Sequence, residues 1–273
     1  MKSKKRPILL SIIMIVLACI VAMPFYYIIV TTLKTPPDAA NHPWGLPWPV
    51  TFQNYINVFQ TIPVLQGFLN SLYVTVLSVV LMLVIGSLAA YGILLAKPRF
   101  AAIIGAILII GFIVPAQSTL IPLYKILAAG HLVDSLNGLI VIYSAGAIFC
   151  YFLIFGYMKT LPMELFEAAR IDGASSFRIF WNIVLPLIRP ILVTVGIFQS
   201  MWVWNDFINP NVFINSPSKQ TIVLMVYSAV GQFTTNWPVF MTLSVIALIP
   251  MVIFFIFAQR QLIAGIVSGG VKG

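Results

Sequence analysis

Charge is scarce in this chain. Of its 273 residues only six are acidic and fifteen basic, so 8% are charged while 61% are apolar. Soluble domains carry about 25% charge, and a chain this poor in polar side chains cannot cover a water-facing surface. Cysteine is equally thin: Cys19 and Cys150 lie at unrelated places inside apolar runs, which excludes a disulfide framework or a cysteine metal site and leaves packing as their role. The two histidines, His42 and His131, are far apart. A Gly-x4-Gly-Lys-Ser/Thr phosphate loop, a His-Glu-x2-His motif and a nucleophile elbow are all missing. The chain therefore has no equipment for hydrolysing ATP, and an intramembrane enzyme would need ionisable groups in mid-span that the sequence does not supply.

What is present is apolar sequence in long continuous runs. Each run exceeds the roughly 18 residues that cross a bilayer as a helix, and none alternates as barrel strands do. The expected fold is an all-α membrane protein with six transmembrane helices at about 7–33, 69–96, 101–125, 136–158, 187–207 and 239–257. Pro115, Pro122 and Pro190 fall in or beside the third and fifth, and Pro250 in the sixth. Such breaks need neighbouring helices or cavity water to satisfy the freed backbone, so they fit a bundle around a pathway or ordinary kinked packing. The expected division is 1–66 (N-terminus, first span and outer loop), 67–260 (a five-helix core) and 261–273 (a C-terminal tail). The basic start, Lys2-Ser3-Lys4-Lys5-Arg6, resembles a signal peptide, but the uncharged stretch runs on to Leu33. That is far beyond a secretory core of about 7–15 residues, so the segment reads as an uncleaved first span.

Orientation follows from the cations. With a cytoplasmic N-terminus, that side holds Lys2, Lys4, Lys5, Arg6, Lys97, Arg99, Lys159, Arg170, Arg178, Arg189, Arg260 and Lys272, against Lys34, Lys125 and Lys219 outside. This bias predicts both termini in the cytoplasm. Glu164, Glu167 and Asp172 also fall inside, and Asp38, Asp134 and Asp206 outside, so the net charge of +9 reflects topology and gives no reason to expect a nucleic-acid partner. The outer stretches 34–66 and 208–238 read as loops, the second long and rich in Asn, Ser, Thr and Pro. Loops beyond about 12–15 residues are often functional. Its aromatics Phe213, Tyr227, Phe233 and Trp237 suit either sugar stacking or the interface belt.

Half the acidic residues crowd into one cytoplasmic segment, about 160–186. Pro162 suits the first turn of a helix. Asp172-Gly173 reads as its stop, because glycine takes the left-handed conformation readily. Ser175 or Ser176 is placed to cap a second helix, and Pro186 to end it. On these grounds alone the segment is a helix–turn–helix at the membrane surface, either an interfacial anchor or a docking element.

The spacing adds more. Glu167-Ala168-Ala169, three residues, Gly173, nine residues, then Ile183-x-Leu185-Pro186 resembles the signature loop of binding-protein-dependent ABC importer permeases. Asn70-Ser71-Leu72, Ala89-Ala90-Tyr91, Ile121-Pro122-Leu123-Tyr124, Trp204-Asn205-Asp206-Phe207 and the tail Gly270-Val271-Lys272-Gly273 resemble the smaller, maltose-type permease of the carbohydrate branch. The resemblance implies a type I importer permease fold with a coupling helix–turn–helix between spans four and five, whose Glu167, Ala168, Ala169, Asp172, Gly173, Ile183, Leu185 and Pro186 dock on a cytoplasmic ABC ATPase dimer. Glu167 would pair with a cation there or stand as an exposed carboxylate. The implied assembly is a bacterial or archaeal cell-membrane importer with a second, different permease and an extracytoplasmic solute-binding protein. Its cofactor, ATP with Mg²⁺, would be bound by the ATPase and none by this chain. Trp204, Asn205 and Asp206 are candidate pathway residues, although Asp206 would equally serve as a helix terminator. The alternatives are an importer of a non-sugar solute and, in a different class, an ion-coupled carrier, which usually places acidic groups at the midplane.

Overall fold

The computed structural model describes residues 5–232 and 236–270. Among these residues every regular element is helical, as backbone in lipid requires when no sheet is closed into a barrel. Val271–Gly273 of the tail motif, and Phe233, lie outside the described residues. Four helices are long and apolar enough to cross a membrane: Leu10–Thr32, Val64–Leu95, Leu136–Met158 and Trp237–Gln261. Two further runs qualify only as bent pairs.

These pairs show how far the chain turns at the proline breaks expected in the third span and at the start of the fifth. Pro98–Ile113 and Ala116–Ala129 meet at 89°. Pro115 has no N–H to continue the ladder, and Val114 before it is extended, at ψ 122, as the residue preceding a proline prefers. Ser176–Leu187 and Arg189–Asn205 meet at 74°, with Pro186 and Pro190 on either side of the bend.

The chain divides into two compact units, Met1–Leu65 with Met225–Pro250, and Gln66–Leu224 with Met251–Gly273. In the first unit, the helix ending at Thr32 leaves carbonyls without helical donors. Asn54 fills that need: its Nδ2 donates to the Thr32 and Lys34 carbonyls at 2.7 and 2.8 Å. Lys34 is fully buried, its ammonium donating to the carbonyls of His42 and Pro43. The 34–66 stretch is thus no irregular loop. Its paired prolines open the Pro36–Asn41 helix, where a missing N–H costs nothing, and Gln53–Thr61 follows.

In the second unit, the Val64–Leu95 helix, from Gln66 onward, packs on Leu136–Met158 through small residues, as helices in lipid commonly do. A Cβ at Gly86 would stand 2.7 Å from Cys150 Cβ and 3.0 Å from the Tyr151 nitrogen. The expected outer loop 208–238 is also corrected: Ile208–Phe213, Pro217–Lys219 and Ile222–Gln232 are helical. Polar side chains hold its first half in place. The Asp134 carboxylate accepts from the Asn215 and Ser216 amides, the Ser216 hydroxyl and the Lys219 ammonium. Asn70 Nδ2 donates to the Ser218 and Gln220 carbonyls, and Ser71 Oγ accepts from the Ile222 amide.

Candidate functional site

The 160–186 segment forms a helix–turn–helix, with two departures from its punctuation: Pro162 precedes the first helix, whose N-cap is Met163, and Pro186 lies within the helical Leu185–Leu187 and does not end it. Glu164–Ile171 is the first helix. Its end is a Schellman arrangement: the Gly173 amide donates to the Arg170 carbonyl and the Ala174 amide to the Ala169 carbonyl, both at 3.0 Å. Gly173 sits at φ +80, and a Cβ there would meet nothing within 4 Å. Glycine is required for backbone conformation, with open space beside it. Ser175 caps the next helix by accepting from the Arg178 amide, so of the two serines weighed it is Ser175 that caps.

One face of this element is buried and the other bare. Phe166, Ala169, Ile179, Phe180 and Val184 join the core of the second unit. Outward stand Ile171, 87% exposed, and Phe177, 70% exposed, with Met163, Leu165 and Trp181 beside them. Glu164, Glu167, Ala168, Arg170, Asp172 and Arg178 are exposed among these apolar side chains. Among the described residues no cation pairs with Glu167.

The Ile183-Val184-Leu185-Pro186 stretch is less regular than a plain helix. Phe180–Val184 is a π-helical turn in which the Leu185 amide donates to the Phe180 carbonyl. Proline collides with the carbonyl four residues back and offers it no donor, and a widened turn just upstream relieves that conflict. Ile183 and Leu185 are half-buried and Pro186 is exposed. The helix then bends at Ile188, which is fully buried, into Arg189–Asn205. Proline and π-turns are the usual sources of sharp kinks.

The three other expected site residues lie at the far end of Arg189–Asn205. Trp204 is 4% exposed and packs edge-on to Phe68 at 5.8 Å. Asn205 is exposed, its Nδ2 donating to the Met201 carbonyl. Asp206 accepts from the Tyr143 hydroxyl at 2.7 Å, the Ile208 amide at 3.0 Å and Asn209 Nδ2 at 2.7 Å. It therefore ends one helix, starts the next and ties both to Leu136–Ser144. The sequence reading passed over Gln199, which is 5% exposed and whose Nε2 donates to the Gly146 carbonyl at 3.3 Å. An amide side chain inside a span was the available signal, because such groups bridge helices.

Comparison with known proteins places the whole chain. A family model described as a binding-protein-dependent transport system inner membrane component matches residues 82–267. A probable starch degradation products transport system permease protein of Thermoanaerobacterium thermosulfurigenes is 35% identical over 265 residues, covering 97% of this chain and 96% of its own length. The melibiose/raffinose/stachyose import permease protein of Bacillus subtilis is 31% identical over 267 residues, with the same coverages of 97% and 96%. A chain of a bacterial ABC transporter involved in import of the acidic polysaccharide alginate superposes with a TM-score of 0.82 at 23% identity, over 95% of this chain and 98% of that one. That likeness concerns the fold. The chain belongs to the binding-protein-dependent transport system inner membrane components, the permeases of ABC importers.

Proposed function

We propose that this chain forms half of the translocation pathway of an ATP-driven sugar importer, and that its 160–186 helix–turn–helix is the element an ATPase drives. Counting each bent pair as one crossing gives six spans. The cation bias then puts both termini and the helix–turn–helix in the cytoplasm. ATP with Mg²⁺ belongs to a separate ATPase dimer there. A second, different permease completes the pathway, and a soluble binding protein delivers solute from outside. The sugar assignment is supported by the relatives, which are named as permeases for starch degradation products, for melibiose, raffinose and stachyose, and for arabinooligosaccharides.

One observation carries the coupling role: an apolar crest, Ile171 and Phe177, left bare on either side of a turn locked by Gly173 at φ +80. Exposed apolar side chains ringed by charges mark a protein-binding surface. ATPase closure pushes on this crest, and the π-turn and the bend at Ile188 pass the displacement to Arg189–Asn205. The push acts only through the difference in affinity between the two conformations. Glu167 takes a cation of the ATPase. In reconstituted importer, Glu167→Ala and Gly173→Ala should each lower sugar uptake and binding-protein-stimulated ATP hydrolysis together, whereas unchanged values in both variants would refute the coupling role. The cargo class is tested on the cognate binding protein, where a sugar at about 100 times its Kd stabilises by about 2.7 kcal/mol. A response to a peptide or amino acid and to no sugar would overturn the carbohydrate reading.

A further inference from the structure

A cavity of about 500 Å³ opens in the second unit where two spans lose their regular backbone. Gly111 and Phe112 line it beside the Val114–Pro115 break, Gly146 where Leu136–Ser144 gives way to Ala147–Met158, Phe149 from the latter helix, and Gln199 and Trp202 from Arg189–Asn205. Irregular backbone at membrane depth persists where protein buries it or where it borders a cavity. Here the breaks coincide with a cavity of ligand size.

The chemistry of the walls is one-sided. A helix ending at Ile113 leaves its last carbonyls without helical donors, and Pro115 has no N–H to offer the Gly111 carbonyl. Gly111 and Phe112 of that last turn line this edge of an otherwise largely apolar cavity, at the negative end of the helix dipole. Gln199 adds a side-chain amide. The remaining surface is apolar: aromatic in part, with Phe112 and Phe149 stacked at 6.4 Å and Trp202 half-exposed, and aliphatic where Ala116, Ala145 and Ile148 line it. No ionised side chain lines the cavity.

We infer that this cavity is a solute-contact subsite supplied by this chain, and that it fits a neutral pyranose and not an acidic one. The ring's C–H faces lie on the aromatic faces, and its hydroxyls donate to the freed carbonyls and the Gln199 amide oxygen. A uronate carboxylate would meet carbonyl ends with no cation to balance it. The inference rests on the carbohydrate reading and names the class of sugar within it.

The test uses the complete importer in proteoliposomes, with maltotriose and raffinose as neutral probes and trigalacturonate as the acidic one. Uptake of a neutral probe should fall about tenfold in Trp202→Ala, the equivalent of one aromatic contact, and recover in Trp202→Phe. In a second measurement that needs no loss of function, Ala145→Cys should react with a charged, water-soluble thiol reagent faster than the parent chain does. Neutral sugar during turnover should slow that reaction. Neutral uptake unchanged in Trp202→Ala, or Ala145→Cys labelling indifferent to sugar, would overturn the subsite and leave the carbohydrate reading standing. Uptake of trigalacturonate in preference to the neutral probes would overturn the neutral class. An importer that carries none of the three sugars and instead carries peptides or amino acids would sink the carbohydrate reading and this inference with it.

Discussion

The two ends of the Leu136–Met158 span are held in opposite ways. Just before Leu136, the Asp134 carboxylate gathers four donors from residues 215–219, while Asn70 and Ser71 clasp 218–222 from the facing helix. Just after Met158, the helix–turn–helix is attached chiefly by packing through Phe166, Ile179 and Val184, and its outer side is bare. Polar clips fix a backbone segment against its neighbours at many points. Apolar packing on one face leaves the other free for a partner and lets the whole element move as one piece. The first end is fixed by polar contacts, and the second presents the surface on which the proposed coupling role rests.

Substitutions at the two ends should therefore separate stability from coupling. The largest effect is expected for Asp134→Ala, which strips the acceptor from four donors and should cost about 3 kcal/mol, read as a lowered Tm of the purified chain. The Ser216 hydroxyl and amide, the Asn215 amide and the Lys219 ammonium hold the Asp134 carboxyl well below the usual carboxylate range. A depressed folded pKa adds stability that is complete above the unfolded value of about 3.9 and fades as pH falls below it. The Tm gap between the native chain and Asp134→Asn should accordingly stay constant from neutral pH down to about pH 5 and narrow below about pH 4. Next comes Asn70→Ala, whose two lost hydrogen bonds should cost about 2 kcal/mol. Gly173→Ala should cost about 1 kcal/mol, because alanine is strained at φ +80. Asparagine tolerates that conformation, so Gly173→Asn should restore the Tm; whether it also restores uptake tells whether the ATPase approaches too closely for any side chain. The smallest stability effect belongs to Ile171→Ser and Phe177→Ser, within about 0.5 kcal/mol. These two should nevertheless abolish stimulated ATP hydrolysis, and a large Tm loss with normal coupling would reverse the comparison.

The helix–turn–helix was legible in the sequence because its main signals are local: Asp172-Gly173 at the turn and Ser175 at the next cap. The spans were legible because length and apolarity define them. Their bends were not, since a proline marks a break while the angle across it depends on what packs around it. The helices at 36–41, 53–61 and 222–232 were hidden by flanking Pro, Asn and Ser, which serve equally well as helix starts and as loops. The Asp134 clip spans 82 residues between Asp134 and Ser216, and no local pattern announces such a pairing. Trp204, Asn205 and Asp206 stood out as a polar cluster at a span end. The structure gives Trp204 a packing contact and Asp206 a junction of three elements, and neither lines the cavity that Gln199 and Trp202 border.

The docking role of the bare crest is tested most directly by placing a photoreactive phenylalanine analogue at position 171 of this chain in the assembled importer and irradiating it. A crosslink to the ATPase subunit is expected, with none from the same analogue at position 218 beside the clip. Crosslinks from position 171 only to lipid or to this chain itself, in an importer that still hydrolyses ATP on demand, would show that the ATPase docks elsewhere.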